Sequence, residues 1–366
     1  MHTLTQDAID LLQQLIAIPS LSRQEDGTAT CIEQFLQRRG VTTHRLQNNV
    51  WATNKHFNIS KPTVLLNSHH DTVPANAAYT RDPHIATVDD GKLYGLGSTD
   101  AGASLVTLLA AFLFFYKEEK LPYNILIAAS AEEEISGKEG IEKLFSHDVF
   151  AKQFSHPASF AIVGEPTQLQ LAVAEKGLMV LECTATGRAG HAAREEGENA
   201  LYKAIDAMQW FRDYRFEKVS PLLGPVKMTV TSVHTHNTAH NIVPAACQFV
   251  VDVRVNELYT HEAILREVRK HVSIDVKERS TRMRSSSIAH DHPVVKAGLQ
   301  LGKKTYGSPT TSDKALIPIP ALKCGPGFSG QSHSADEFVA LKDIGEGVLF
   351  YIDLLQATFL NDIVTP

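Results

Sequence analysis

Apolar positions near the start of the chain keep helical spacing. Leu4, Ala8, Leu11, Leu12, Leu15 and Ile16 share one face, and Pro19 is expected to end that helix. A second helix is predicted from about Glu25 to Arg39, closed by Gly40 as its C-terminal cap. The pattern then shortens. Val41–Leu46, Val50–Asn54 and Thr63–Ser68 read as strands, and Asp89-Asp90-Gly91-Lys92 as a turn between two short ones. An apolar helix is predicted over Ala103–Tyr116. The continuous apolar runs Ile125–Ala131 and Phe160–Gly164 read as buried strands of an α/β sheet.

After Ala174 the rhythm changes. Leu178–Ala185, Lys227–Val233 and Gln248–Val255 alternate as half-buried strands do, Ser273–Lys277 is a fourth strand, and Asn199–Phe211 and Thr260–His271 are amphipathic helices. The order β-α-β-β-α-β is that of a small ferredoxin-like domain. The basic run Arg279–Ser287 reads as a return linker. Helices around Pro293–Tyr306 and Leu341–Leu360, with a strand near Ala321–Cys324, then resume the first style. The predicted organisation is a large domain of residues 1–174 and 285–366 with a small domain of residues 175–284 inserted in it. A chain of 366 residues is long for a single core, which agrees with two domains.

Composition narrows the function classes. Apolar residues at 43% and charged ones at 21% are those of a soluble globular protein. A net charge of −6 leaves no electrostatic footprint for nucleic acid or an anionic membrane. The first residues lack the basic region and apolar core of a signal peptide, and the apolar run Ala101–Tyr116 is too short to predict a membrane span. Four scattered cysteines argue against a zinc ribbon or a disulfide framework and fit a reducing cytoplasm.

The chemistry gathers where strands stop. Val64–Ser68 runs into His69-His70-Asp71, and strand alternation sends His69 and Asp71 to one side and His70 to the other. By itself that fragment fits a buried, hydrogen-bonded histidine pair as well as a metal site. Ile125–Ala131 runs into Glu132-Glu133-Glu134, and Phe160–Gly164 into Glu165-Pro166-Thr167. Acidic or imidazole groups at several strand ends share one sheet edge, where a cation would offset their repulsion. Gly95-x-Gly97 lacks the third glycine of a dinucleotide loop, and Asp100 would face the phosphates, so a nicotinamide site is rejected.

With Gly-Ser-Thr-Asp-Ala-Gly around Asp100, Gly187-Arg188-Ala189-Gly190-His191, Asn241-Ile242-Val243-Pro244, and His333-Ser334-Ala335-Asp336-Glu337 added, the whole chain resembles the co-catalytic zinc aminoacylase family. That family includes acetylornithine deacetylase, succinyl-diaminopimelate desuccinylase and carboxypeptidase G; the likeness looks closest to the first. The resemblance implies a zinc-peptidase-like α/β catalytic domain with a central, mostly parallel sheet, and an inserted ferredoxin-like lid that joins two subunits into a homodimer. It implies two divalent metal ions, zinc first and cobalt or manganese as alternatives. His69 and Glu165 would hold one, Glu134 and His333 the other, and Asp100 both. Asp71 would orient His69, Glu133 would be the general base, and His191 would act on the partner subunit's substrate. A cis peptide is implied after Asp100.

Asn241, Arg254, Thr311 and Gly327 match pocket positions of the family. Taken without the resemblance, Asn241 reads first as a turn residue and Arg254 as a sheet-surface ion pair. His70 and Glu132 depart from the apolar residue and the aspartate usual at their positions. The implied reaction is hydrolysis of an N-acyl amino acid, N-acetylornithine foremost, with acetylcitrulline, succinylornithine or succinylcitrulline, succinyl-diaminopimelate and dipeptides as nearby substrates. A metal-binding relative without turnover is the competing class, and the presence of Glu133 and His191 speaks against it.

Overall fold

Four short apolar runs form the centre of the fold. Asn124–Ser130, Thr63–His69, Phe160–Val163 and Ala321–Lys323 lie side by side in that order, all parallel, in a computed structural model that describes residues 2–194 and 196–363. Thr63–His69 and Asn124–Ser130 are buried along their whole length, as strands covered on both faces must be. Their register sets His69 beside Ser130. Antiparallel strands extend this centre on both sides. Asn49–Thr53 and His44–Leu46 continue from Asn124–Ser130, and Leu171–Glu175 pairs with Ala321–Lys323. With Ser286–Ser287 and Thr305–Ser308 the sheet has nine strands, parallel at the centre and mixed overall.

The helix Ala103–Phe115 is apolar nearly all round because it is enclosed, packed against the helices His2–Ile16 and Leu341–Ile363. Residues Ser98–Phe115 have the length and mean hydropathy (1.6) of a membrane span, yet 78% of the stretch is buried inside the molecule. It is a core helix. Leu109, fully buried there, is expected to cost about 2–5 kcal/mol of stability as Leu109→Ala, measured by denaturant unfolding.

Boundaries differ from expectation where glycine or strand pairing intervenes. The helix predicted to reach Tyr306 spans Pro293–Gln300, because Gly302 adopts a left-handed φ of 76° and Lys303 N–H caps back to the Gly298 carbonyl. Thr305–Ser308 then becomes a strand. Leu171–Glu175 is a strand that periodicity alone does not separate from the alternating stretch after Ala174.

The chain divides into two units. One holds Met1–Val173, Ser287–Tyr306 and Ser312–Pro366; the other holds Ala174–Ser286 and Gly307–Thr311. Taken by itself, the second unit carries a four-stranded antiparallel sheet ordered Lys227–His234, Ala246–Val255, Gly177–Thr186, Asp275–Ser280. Helices Ala200–Asp213 and His261–His271 complete the β-α-β-β-α-β order. Met179, Leu181, Cys183 and Ala185 alternate onto the face that meets Ala204, Phe211, Ile264 and Val268. Asn199 and Thr260 start the two helices by accepting the Leu201 and Ala263 N–H groups.

Candidate metal centre

The parallel strands deliver their ends to one place. His69 closes Thr63–His69 and is 1% exposed. Its Nδ1 lies 3.0 Å from the Asp71 carbonyl, which can only accept, so Nδ1 carries a proton and, in the neutral ring, Nε2 keeps the lone pair. That lone pair faces carboxylates: Asp100 Oδ1 at 3.2 Å, Glu165 at 3.9 Å and Glu133 at 4.0 Å. Asp100 comes from the turn before the buried helix, where the Asp100–Ala101 peptide is cis. Gly97 allows the turn with a φ of 75°; a Cβ there would stand 2.7 Å from the Thr72 side chain.

The second oxygen of Asp100 faces the other way. Oδ2 lies 3.7 Å from His333 Nε2, which itself lies 3.0 Å from Glu134. Ring nitrogens facing carboxylates at such distances need a positive charge between them, a proton or a metal ion. Two ligands of a tetrahedral zinc, each about 2.1 Å from it, stand about 3.4 Å apart, which is the spacing seen. His69, Asp100 and Glu134 each offer one atom within 4.8 Å of the others. The donor set of imidazole nitrogen and carboxylate oxygen suits zinc, with cobalt or manganese also matched.

The proton affinities report the same excess of negative charge. Burial would lower His69, but Asp100 and Asp71 outweigh it and hold its pKa well above the ordinary value. The hydrogen bond to Glu134 raises His333 to about 9. Burial pushes Glu133 well above the carboxylate range and Glu165 to about 8, the latter against the opposing charge of Lys323. Asp100 is held at about 2 because His69 overrides its burial. Protons retained here do the work of a cation, and metal binding would release them.

A profile of Peptidase family M20/M25/M40 matches residues 65–357. The chain belongs to this family. It is a metal-dependent amidohydrolase of the M20 type. A succinyl-diaminopimelate desuccinylase of Rhodospirillum centenum is 26% identical over 379 residues, covering 96% of this chain and 97% of that one. Among solved structures, an M20 family metallo-carboxypeptidase of Sulfolobus solfataricus superposes with a TM-score of 0.78 at 17% identity, over 96% of this chain and 99% of the other. A dinuclear metal-binding M20 peptidase of Bacillus subtilis superposes with a TM-score of 0.70 at 15% identity, over 100% of both.

Within this M20 centre the side chains around the two strand ends take distinct partners. Asp71 was expected to orient His69 with its carboxylate. That carboxylate is 3.4 Å from His69 Nδ1, whose hydrogen bond goes to the Asp71 backbone carbonyl. The carboxylate also accepts Glu133 N–H at 3.1 Å, Glu134 N–H at 3.2 Å and Ser22 Oγ–H at 2.6 Å, so it shapes the glutamate turn as well as facing His69. Glu132, with a φ of 56°, turns its side chain away toward Glu139 N–H and Arg23. That sorts the triple glutamate, with Glu133 near His69 and Glu134 near His333. His70 points to the opposite side, between Thr28 Oγ1 at 2.8 Å and the Asn48 carbonyl at 2.9 Å, a satisfied core histidine. Sequence reasoning missed Ser332, whose hydroxyl donates to Asp100 Oδ2 at 2.6 Å; its place next to His333 was the available signal.

Gly327 belongs to the first unit, at a φ of 86°, where a Cβ would stand 3.2 Å from Thr99 beside the Asp100 turn. The other three expected pocket residues belong to the second unit, Asn241 beside the His191 turn and Arg254 beside Thr311. Ala192, next to the exposed His191, donates its N–H to the Asn241 carbonyl at 2.9 Å. Arg254 holds Asp252 through two bonds of 2.8 and 3.0 Å and lies 3.4 Å from Thr311 Oγ1. Thr311 in turn donates to the Lys176 carbonyl at 2.7 Å.

Proposed function

We propose that this M20 hydrolase cleaves the amide bond of an N-acyl amino acid at a centre built for two divalent cations. The observation that carries the reading is the division of Asp100, with one carboxylate oxygen toward His69 and the other toward His333. His69 and Glu165 would hold one ion, Glu134 and His333 the other, and Asp100 both. Bound there, the ions supply Lewis acidity to the amide oxygen and lower the pKa of water. Glu133 is near His69 without being needed as a ligand. It takes a proton from the attacking water and passes it to the nitrogen as the C–N bond breaks, leaving the carboxylate on one product and the amine on the other. Asp71 holds the turn that aims Glu133. His191 donates to the developing oxyanion, and Asn241, Arg254, Thr311 and Gly327 line the acyl and amino-acid pocket.

Two chains would form a homodimer through the second unit, the lid, by which His191 reaches the partner's site. The edge strand Lys227–His234 is largely exposed, and the helix Ala200–Asp213 leaves Tyr202 66% and Ile205 45% exposed beside it. An unpaired edge next to an apolar helix face invites a second copy of the same surface. A cytoplasmic location agrees with the free thiols Cys31, Cys183, Cys247 and Cys324.

The resemblance favours N-acetylornithine as substrate, which would place the enzyme in arginine synthesis, whereas the similar protein of Rhodospirillum centenum is named for succinyl-diaminopimelate. The deciding experiment loads the protein with zinc and compares kcat/KM for the acetyl and succinyl derivatives of ornithine, citrulline and diaminopimelate, with a dipeptide as control. Chelator-sensitive cleavage of acyl amino acids, with two ions per chain by elemental analysis, is the expected result. Cleavage of the dipeptide alone, or full activity in chelator, would overturn it.

A further inference from the structure

The Gly95–Asp100 turn, which presents Asp100, is held by Leu96 N–H on the Pro83 carbonyl at 2.9 Å and otherwise chiefly by one segment around Glu337. Glu337, 1% exposed, places Oε1 on the N–H groups of Thr99 at 2.7 Å and Asp100 at 2.9 Å, and Oε2 on that of Gly97 at 2.9 Å. The backbone joins in. The Glu337 carbonyl accepts Gly95 N–H at 3.0 Å, and the Phe338 carbonyl accepts the Thr99 hydroxyl at 2.6 Å. His333 stands four residues before Glu337, and Ser332, just before it, binds the carboxylate of the same Asp100. One short segment therefore grips Asp100 twice, its backbone through Glu337 and its side chain through Ser332, while also carrying His333.

We infer that Glu337 is a positioning residue of the metal centre: its buried carboxylate fixes the turn that aims Asp100 and thereby sets the spacing between Asp100 and His333. The inference rests on the reading of Asp100 and His333 as ligands. The charge form matters because both oxygens are used as acceptors. Glutamine offers one acceptor oxygen and turns its NH₂ toward a backbone N–H, so one side of the grip is lost. Neighbouring Asp336 makes a useful contrast. Its carboxylate serves Thr80 and Arg81, a different loop of the same unit.

The test measures zinc affinity by competition with a chelator and records the visible spectrum of the cobalt-loaded protein, for wild type, Glu337→Gln and Asp336→Asn. Glu337→Gln is expected to stay folded by circular dichroism, to bind zinc roughly 10- to 100-fold more weakly, as loss of a group that orients ligands does, and to shift the cobalt bands. Asp336→Asn is expected to match wild type in both. Wild-type affinity and spectrum in Glu337→Gln, or an equal loss in Asp336→Asn, would overturn the inference while leaving the ligand reading in place. A wild type that binds no divalent ion would remove the ligand reading and the inference with it. Should Glu337→Gln not fold, amide exchange in metal-free wild type decides. Protected N–H groups at Gly97, Thr99 and Asp100 support the grip, and exchange at the rate of an open loop overturns it.

Discussion

Glu133→Gln is expected to lower kcat by about 10²- to 10⁴-fold, the range of a lost general base, with KM and metal content close to wild type. The side chain is placed for that outcome. It lies 4.0 Å from His69, is largely enclosed, and is aimed by a backbone N–H fixed to Asp71. Glutamine keeps the size and the turn but cannot take a proton. Burial holds the Glu133 carboxyl well above the usual carboxylate range in the metal-free protein, and bound cations would lower it so that the carboxylate is free to take a proton. Metal analysis and steady-state kinetics on the same preparation check the result. If metal is lost with activity, Glu133 is a ligand and the assignment of the two glutamates reverses. If activity stays, another base is in use.

Sequence pattern carried the centre of the fold because the strands that matter are continuous apolar runs closed by charged residues. Thr63–His69 and Asn124–Ser130 could be read that way within a residue at either end. The β-α-β-β-α-β unit was legible for the complementary reason, that its strands are half-buried and alternate. The flanks were not legible. Leu171–Glu175 is a strand by virtue of its partners, and nothing local separates it from the alternating strand Gly177–Thr186. Within the site, residue types at strand ends pointed to His69, Glu133, Glu134 and Glu165, yet their sorting depends on backbone geometry. Glu132 turns away because its φ is positive, and Asp71 reaches past His69 to the glutamate turn. Glu337 was hidden for the same reason. Its partners are backbone N–H groups more than 230 residues away in sequence, which leave no side-chain signature.

Mixing two inactive variants is expected to restore activity. His191→Ala alone should lose about 10²- to 10³-fold in kcat, the cost of removing one oxyanion donor. The turn suits such a donor. Ala193 N–H is given to His191 Nδ1 at 3.1 Å, so Nδ1 accepts, the proton belongs to Nε2, and the exposed ring edge carries an N–H free to reach a substrate oxygen. When His191→Ala and Glu133→Gln subunits exchange freely in equal amounts, half of the dimers are mixed. In each mixed dimer the His191→Ala subunit keeps its own Glu133 and receives a histidine from its partner, whereas the other site lacks both. About one site in four should then turn over. The two parent variants have none that is complete, so recovery cannot come from either one. Subunit exchange is followed by mass-tagged copies and activity on the same samples. Full exchange without recovery would mean that His191 serves its own chain or takes no part, and the second unit would then act without crossing to its neighbour.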